Sequence, residues 1–250
     1  MSELIDPRHN YLLAALQEEE FKRIAPYLEL VPMPYTEVLY ECNEALQYAY
    51  FPTSATASLL CGLEDGVSVE VAVVGNEGVL DVSVFMGYNA ALTMATIQTA
   101  GYGYRLPARV LKLEFDQGGS LQHLLMRYTR TLIIQMAQTT ACTRRHSVEQ
   151  QLCRWLLLNF DRVHSSSLAM TQELISNMLG VRRESITEAA QKLQMDGLIS
   201  YCRGHIKVLD RPGLETHVCE CYDVVKKESE RFFSDLNIQH RAGEETHCVQ

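Results

Sequence analysis

"TQELISNMLGVRRESITEAAQKLQMDGLISYCRGHIKVLD", Thr171 to Asp210, is the stretch whose reading decides the architecture. Two helical segments flank "LGV". The first, "TQELISNML", opens on a threonine suited to N-capping and carries Glu173 in its first turn. Gly180 supplies a tight, left-handed corner. In the second segment, with Ile186 turned to the core, a 100° step brings Ala190 and Leu193 to the same side. Glu184, Thr187, Glu188 and Gln191 then face away, and Arg182 and Arg183 stand at the helix start. "GLISYCRGHIKVLD" follows and predicts two short strands, Leu198–Cys202 and His205–Leu209, around an Arg203-Gly204 turn. Helix, corner, helix and hairpin in that order predict a winged helix-turn-helix, whose second helix fits the major groove of DNA. The competing account is an ordinary helical hairpin with solvated charges.

The chemistry of the outward residues suits a duplex. Arginine at a helix start grips guanine O6/N7 or a phosphate, and Glu184 can accept from cytosine N4. Gln172, Arg203, His205 and Lys207 are placed for phosphate contacts. The candidate DNA-contacting set is Thr171, Gln172, Arg182, Arg183, Glu184, Ser185, Thr187, Glu188, Gln191, Arg203 and His205. Yet the formal net charge is −9. Residues 1–145 carry 10 Lys+Arg against 16 Asp+Glu, and residues 213–250 carry 4 against 8. Residues 146–212 carry 8 against 7, so a nucleic-acid surface must lie there.

Upstream, "NYLLAALQEEEFKRIAPYL" has helical spacing, with Leu12, Leu13, Leu16, Phe21 and Ile24 around one side. From Val31 to Leu113 the texture changes to short runs: "EVLYE", "YAYFP", "ATASLLCGL", "VSVEVAVVG", "TMATIQTAG" and "YGYRL". "EDG" at 64–66 reads as a hairpin turn. Several short strands over this length predict a sandwich or jelly roll. After "GGS" at 118–120, a stripe of Leu121, Leu124, Leu125, Tyr128, Leu132 and Met136 continues to Thr139 and Cys142. Its period is close to 3.5, which predicts a long helix paired with its twin across a two-fold axis. Gln135 and Gln138 would fix the register. The alternative is a helix lying on its own β-domain. "SVEQQLCRWLLLNF" predicts a further helix with Val148, Leu152, Trp155, Leu156 and Phe160 inward, and "HSSSLAM" a loop. "CECYDVVKKESERFFSDL" predicts an amphipathic helix before a polar tail.

With these parts in place, the chain resembles the family of the cyclic-AMP receptor protein and the anaerobic regulator FNR. The resemblance covers roughly residues 10–212. It is carried by "MTQELISNMLGVRRESITEAAQKLQMDGLI" and "SVEQQLCRWLLLNF". It implies an α+β fold: an N-terminal cyclic-nucleotide-binding-like β-roll sensor (1–118), a long dimerisation helix (119–145) and a C-terminal winged helix-turn-helix (146–212), with the helical tail read above at 213–250 lying beyond it. It implies a homodimeric transcription regulator acting on a pseudo-palindromic double-stranded operator, with RNA polymerase as a further partner. By motif, the family's base-reading Arg-Glu pair falls on Arg183 and Glu184. Glu188 stands where the family often has arginine, and Arg182 replaces a small capping residue, so an altered operator is expected.

The family's cyclic-nucleotide members hold the phosphate with an arginine. The corresponding region here, with candidate pocket residues Gly75, Asn76, Glu77, Gly78 and Asp81, has none. Ile24 to Tyr104 contains no Lys, Arg or His and nine acidic residues, so neither cyclic AMP nor cyclic GMP is expected to bind. The first cysteine is Cys42, which leaves no N-terminal cluster for iron and sulfur. Haem stays open as an alternative, with Cys42, Cys61 or His123 as axial ligand. Eight cysteines without a CxxC pair read mostly as buried thiols, and no metal is expected. "HVCEC" (217–221) with His247 and Cys248 is the one exception to weigh, as is a redox role for Cys219 or Cys221. No Ser/His/Asp motif or phosphate loop points to an enzyme. No apolar run spans a bilayer and the N-terminus lacks a signal-peptide layout, so a cytoplasmic location is expected.

Overall fold

The structure, a computed structural model, describes residues 5–235 apart from 65, 89, 164 and 166. The N-terminal stretch expected as one helix is two, α1 (Tyr11–Ala14) and α2 (Glu18–Ile24), because Gln17 between them adopts extended backbone. Leu12, Leu13, Leu16 and Ile24 are buried, with Phe21 half-buried beside them. Seven strands follow: β1 (Glu29–Met33), β2 (Val38–Tyr40), β3 (Tyr48–Pro52), β4 (Thr56–Gly62), β5 (Ser68–Val74), β6 (Met94–Thr99) and β7 (Gly101–Pro107). They form two antiparallel sheets, ordered β1-β7-β3 and β2-β6-β4-β5. Met33, Phe51, Leu59, Val74, Ile97 and Leu106 fill the space between them. The β4–β5 hairpin closes where a turn was expected, with Leu63 N–H donating to Val67 O at 2.8 Å and Gly66 N–H donating to Leu63 O at 3.0 Å.

Two elements had no legible signal. β1 is half-exposed and contains Pro32, so its pattern does not alternate. After the short α3 (Ser83–Met86), α4 (Ala108–Asp116) springs straight from the last residue of β7, with no capping side chain to announce it.

α5 (Ser120–Arg145) is the spine. Its first N–H donates to Glu20 Oε1 at 2.9 Å and its Ser120 hydroxyl bonds the same buried carboxylate, a negative charge at the positive end of the helix. The stripe expected to meet a twin helix does something else. Leu121, Leu124, Leu125, Tyr128 and Leu132 are buried in the chain's own core, and Met136 packs half-buried against it. An apolar stripe fixes which helix face is covered but not by what, and here the β-roll covers it. Gln135, expected in a polar seam, is buried as well: it donates to Val73 O at 3.1 Å and accepts from Arg162 at 3.2 Å. The opposite face shows Met126, Arg130, Ile133, Ala137 and Thr140 exposed, at steps of 4, 3, 4 and 3.

The second core belongs to the C-terminal half. α6 (Val148–Phe160) starts in a reciprocal Ser147–Gln150 capping box and delivers Leu152, Trp155 and Leu156 inward. The expected loop at "HSSSLAM" contains a strand, β8 (Ser167–Ala169). Then come α7 (Gln172–Leu179), α8 (Arg183–Met195), β9 (Ile199–Cys202), β10 (His205–Val208), α9 (Arg211–His217) and α10 (Glu220–Asp235). The order β8-β10-β9 makes a small antiparallel sheet. α10 runs back along α5: Phe232 is buried against Tyr128, and Glu228 pairs with Arg130.

The two halves touch directly. Leu60 and Val73 of the roll join the core around α6 to α8, and a Cβ on Gly180 would come within 2.8 Å of Val69 Cγ1. Arg162, just past α6, pairs with Glu77 at 2.5 Å with both side chains largely covered. Glu70 turns its carboxylate onto Ser58 Oγ, at 2.6 Å. Burial pushes that carboxyl from 4.5 up to about 7, against the pull of Ser58 and Arg154.

Two outcomes follow from this packing. Leu125→Ala empties space in the chain's own core and should cost about 2–5 kcal/mol of stability while leaving the association state unchanged. Denaturant melts with sedimentation check it, and a shift to monomer at full stability would contradict it. Glu70 is more easily ionised in the unfolded chain, so its contribution to stability falls as pH rises between 4.5 and about 7. Glu70→Gln should therefore melt above the parent at pH 8, with the gap closing by pH 5.

Candidate nucleic-acid interface

α7 and α8 meet at Gly180, which sits at φ +64° as the corner requires. Thr171 caps α7, its hydroxyl oxygen accepting from Leu174 N at 3.1 Å. Ile175, Met178, Leu179, Ile186, Ala190 and Leu193 are buried between the two helices and α6, so the outer face of α8 is fixed. Arg182, Arg183, Glu184, Glu188 and Gln191 are exposed on it, and Ser185 and Thr187 are half-buried. Thr187 is held: its hydroxyl donates to Gln172 Oε1 at 2.8 Å and lies 3.1 Å from Arg183 O. That bond ties the Gln172 side-chain oxygen to α8 and orients the amide, leaving its Nε2 donor, which has no protein partner among the described residues, for a phosphate. Arg182 occupies the N-cap with no side-chain cap, so the start of α8 is open to an external acceptor.

The wing is a two-residue hairpin with Cys202 opposite His205. Its turn residues Arg203 (φ +50°) and Gly204 (φ +76°) both adopt positive φ, the geometry that matches strand twist. Gly204 O accepts from Met170 N at 2.6 Å, and Tyr201 donates its hydroxyl to Met170 O at 2.8 Å. Burial pushes the Tyr201 phenol up to about 12, so it stays a donor. These bonds seat the wing against the start of α7. Between them lies a cleft of about 290 Å³ lined by Thr171, Gln172, Arg183, Tyr201, Arg203 and Gly204. His205 and Lys207 lie exposed along the wing.

The cations of residues 146–212 divide into two groups. Arg162, Lys192 and Arg211 pair with Glu77, Glu149 and Asp161, and Arg154 is buried. Arg182, Arg183, Arg203 and Lys207 are exposed, and among the described residues they enter no ion pair. All four lie on the α8 start and the wing.

The candidate effector residues are engaged in the fold. Glu77 holds Arg162 and accepts from Gly75 N at 3.0 Å. Asn76 O accepts from Tyr11 N, and Gly78 O accepts from the buried Asn10 side chain. A Cβ on Gly78 would collide with the Tyr128 ring. Asp81, buried at φ +59°, accepts from Ser83 N at 2.7 Å and Leu92 N at 3.1 Å. Of the haem alternatives, Cys42 and His123 are exposed and Cys61 is half-buried. Cys219 and Cys221 are buried beside Cys142 and His146, a grouping that the sequence reading missed. The "CxxxH" at the end of α5 was the available signal. His217 lies exposed on α9, bonded to Gly213 O, and His247 and Cys248 lie outside the described residues.

Residues 150–217 match the model of the Crp-like helix-turn-helix domain. No curated protein matches the chain. Among solved structures, the chain is similar to a candidate CRP/FNR-family transcriptional regulator from Eubacterium rectale. That match has a TM-score of 0.67 and 19% identity, covering 84% of this chain and 98% of that one. It is similar to FixK2 from Bradyrhizobium japonicum at a TM-score of 0.64 and 16% identity, covering 77% and 98%. TTHB099, a CRP-family transcriptional regulator from Thermus thermophilus, matches at 0.64 and 18%, covering 75% and 95%. No helix among the described residues is long and apolar enough to cross a membrane. The chain therefore has the fold of the CRP/FNR transcription regulators and carries a Crp-like helix-turn-helix domain over residues 150–217.

Proposed function

We propose that the protein is a homodimeric, sequence-specific DNA-binding transcription regulator. The observation that carries this is the segregation of charge. Among the described residues, the unpaired exposed cations of residues 146–212 stand on the α8 start and the wing, while carboxylates neutralise three of the others in that segment. Arg183 and Glu184 read base edges, and Arg182, Arg203 and Lys207 grip phosphates on either side. The −9 chain approaches a polyanion through this one face.

The dimer forms through the exposed side of α5. Met126, Ile133, Ala137 and Thr140 follow the 3.5-residue period of a helix seam, and Met126 and Ile133 are each more than half exposed. This face replaces the Leu121–Met136 stripe as the contact with a second copy. Neither cyclic AMP nor cyclic GMP is the signal. The turn at Gly75–Gly78 offers no side-chain cation of its own, and the nearby Arg162 is already bound by Glu77.

Arg183→Ala should lower affinity for a selected duplex by about 1–3 kcal/mol and relax the preference at one base pair. Lys207→Ala should weaken all duplexes alike and reduce the slope of log K against log salt by about 0.9. Fluorescence anisotropy across a salt series reads both, and wild-type binding that ignores salt would sink the reading. Ile133→Glu places like charges across the seam and should shift the protein toward monomer in sedimentation while each chain stays folded. An unchanged dimer would rule out this face.

A further inference from the structure

We infer that the protein holds one zinc ion at the base of its DNA-binding domain, ligated by Cys142, His146, Cys219 and Cys221. Cys142 lies on the last turn of α5 and His146 is its C-cap, held beside Cys142 by its N–H, which donates to Cys142 O at 3.0 Å. Cys219 and Cys221 come from the turn into α10 and its first turn. The three cysteines are buried, each at 3% exposure or less, and the histidine is largely covered. One ligand atom from each residue lies within 4.8 Å of the other three.

The spacing fits one tetrahedral ion. Zinc–sulfur and zinc–nitrogen bonds of about 2.3 and 2.0–2.1 Å set tetrahedral edges of about 3.8 Å between sulfurs and about 3.5 Å between sulfur and nitrogen. Cys142 Sγ and Cys219 Sγ are 3.6 Å apart, and Cys221 Sγ and His146 Nδ1 are also 3.6 Å apart. A disulfide needs about 2.05 Å, so the pair at 3.6 Å is not one. An iron–sulfur cluster distributes its four ligands over two or four irons and needs the set as a whole more widely spread than a single ion does. Three thiolates and an imidazole suit zinc, and a buried set of four with no open position is a structural site.

Two neighbours complete it. Glu220 Oε2 lies 3.4 Å from His146 Nε2, the outer carboxylate that puts the proton on Nε2 and leaves the Nδ1 lone pair for the ion. Arg154, buried and bonded to Thr139 Oγ1 at 3.1 Å, acts electrostatically on Cys142. Zinc with three thiolates and a neutral imidazole carries a net negative charge, which answers that buried guanidinium.

The position gives the site its purpose. The chain leaves α5 at His146, builds the DNA-binding domain over residues 147–218, and returns at Cys219. The ion ties both ends of that excursion to the spine and anchors the start of α10. Domain placement then depends on the metal, a conclusion that does not rest on the DNA reading.

Full-length protein purified without chelator should contain about one zinc per chain by elemental analysis. Cobalt(II) added to chelator-stripped protein should give the visible bands of tetrahedral cobalt and a thiolate charge-transfer band. Titration with an organomercurial, once the exposed thiols have reacted, should release one zinc for every three further equivalents taken up as Hg–S bonds replace Zn–S bonds. Cys142→Ser and Cys221→Ser should fall to about a tenth of the wild-type zinc content, while Cys202→Ser, on the exposed wing, keeps it. If the cluster variants do not fold, the cobalt spectrum and thiol accounting on the wild-type chain decide. Zinc-free wild-type protein with an octahedral cobalt spectrum overturns the inference, as does zinc content indifferent to Cys142 and Cys221.

Discussion

Burial of one face of α5 organises the rest of this protein. Leu121, Leu125, Tyr128 and Leu132 close the β-roll core, which fixes the rotation of the helix about its axis. That rotation turns Met126, Ile133 and Ala137 outward and points Cys142 toward α10. Glu20 anchors one end through the Ser120 N–H, and the four-residue cluster gathers at the other. A helix 26 residues long extends about 39 Å and so links the β-roll to the C-terminal domain.

The helix-turn-helix domain is docked on its own β-roll. Val69 meets Gly180 at the corner between α7 and α8, and Arg162 spans to Glu77 and Gln135. These contacts couple the roll to the orientation of α8 without any contact to DNA. Glu70, at the same boundary and near half-ionised at neutral pH, adds a proton-dependent contribution.

Much of this was legible in the sequence because the C-terminal signals are local. Gly180 needs positive φ, Thr171 caps, and Arg203-Gly204 turns, each through its own backbone chemistry. What failed was long-range. The 3.5-residue stripe on α5 showed that a face was covered, but the identity of the cover depended on a roll whose strands lie up to 90 residues away. The cysteine cluster joins positions 77 residues apart, and no spacing rule spans that distance. β8 was lost because three residues beside a serine run carry no period. The bond from Thr187 to Gln172 Oε1 went unread because the two residues lie across the corner from each other.

The central claim is that two copies of this chain present α8 to one duplex. Selection of duplexes from a random pool with the purified full-length protein tests it most directly. The account predicts enrichment of a pseudo-palindrome whose half-sites are centred about 34 Å apart, with enrichment lost for Arg183→Ala. A pool that shows no enrichment, or that yields a single unrepeated half-site, would contradict it.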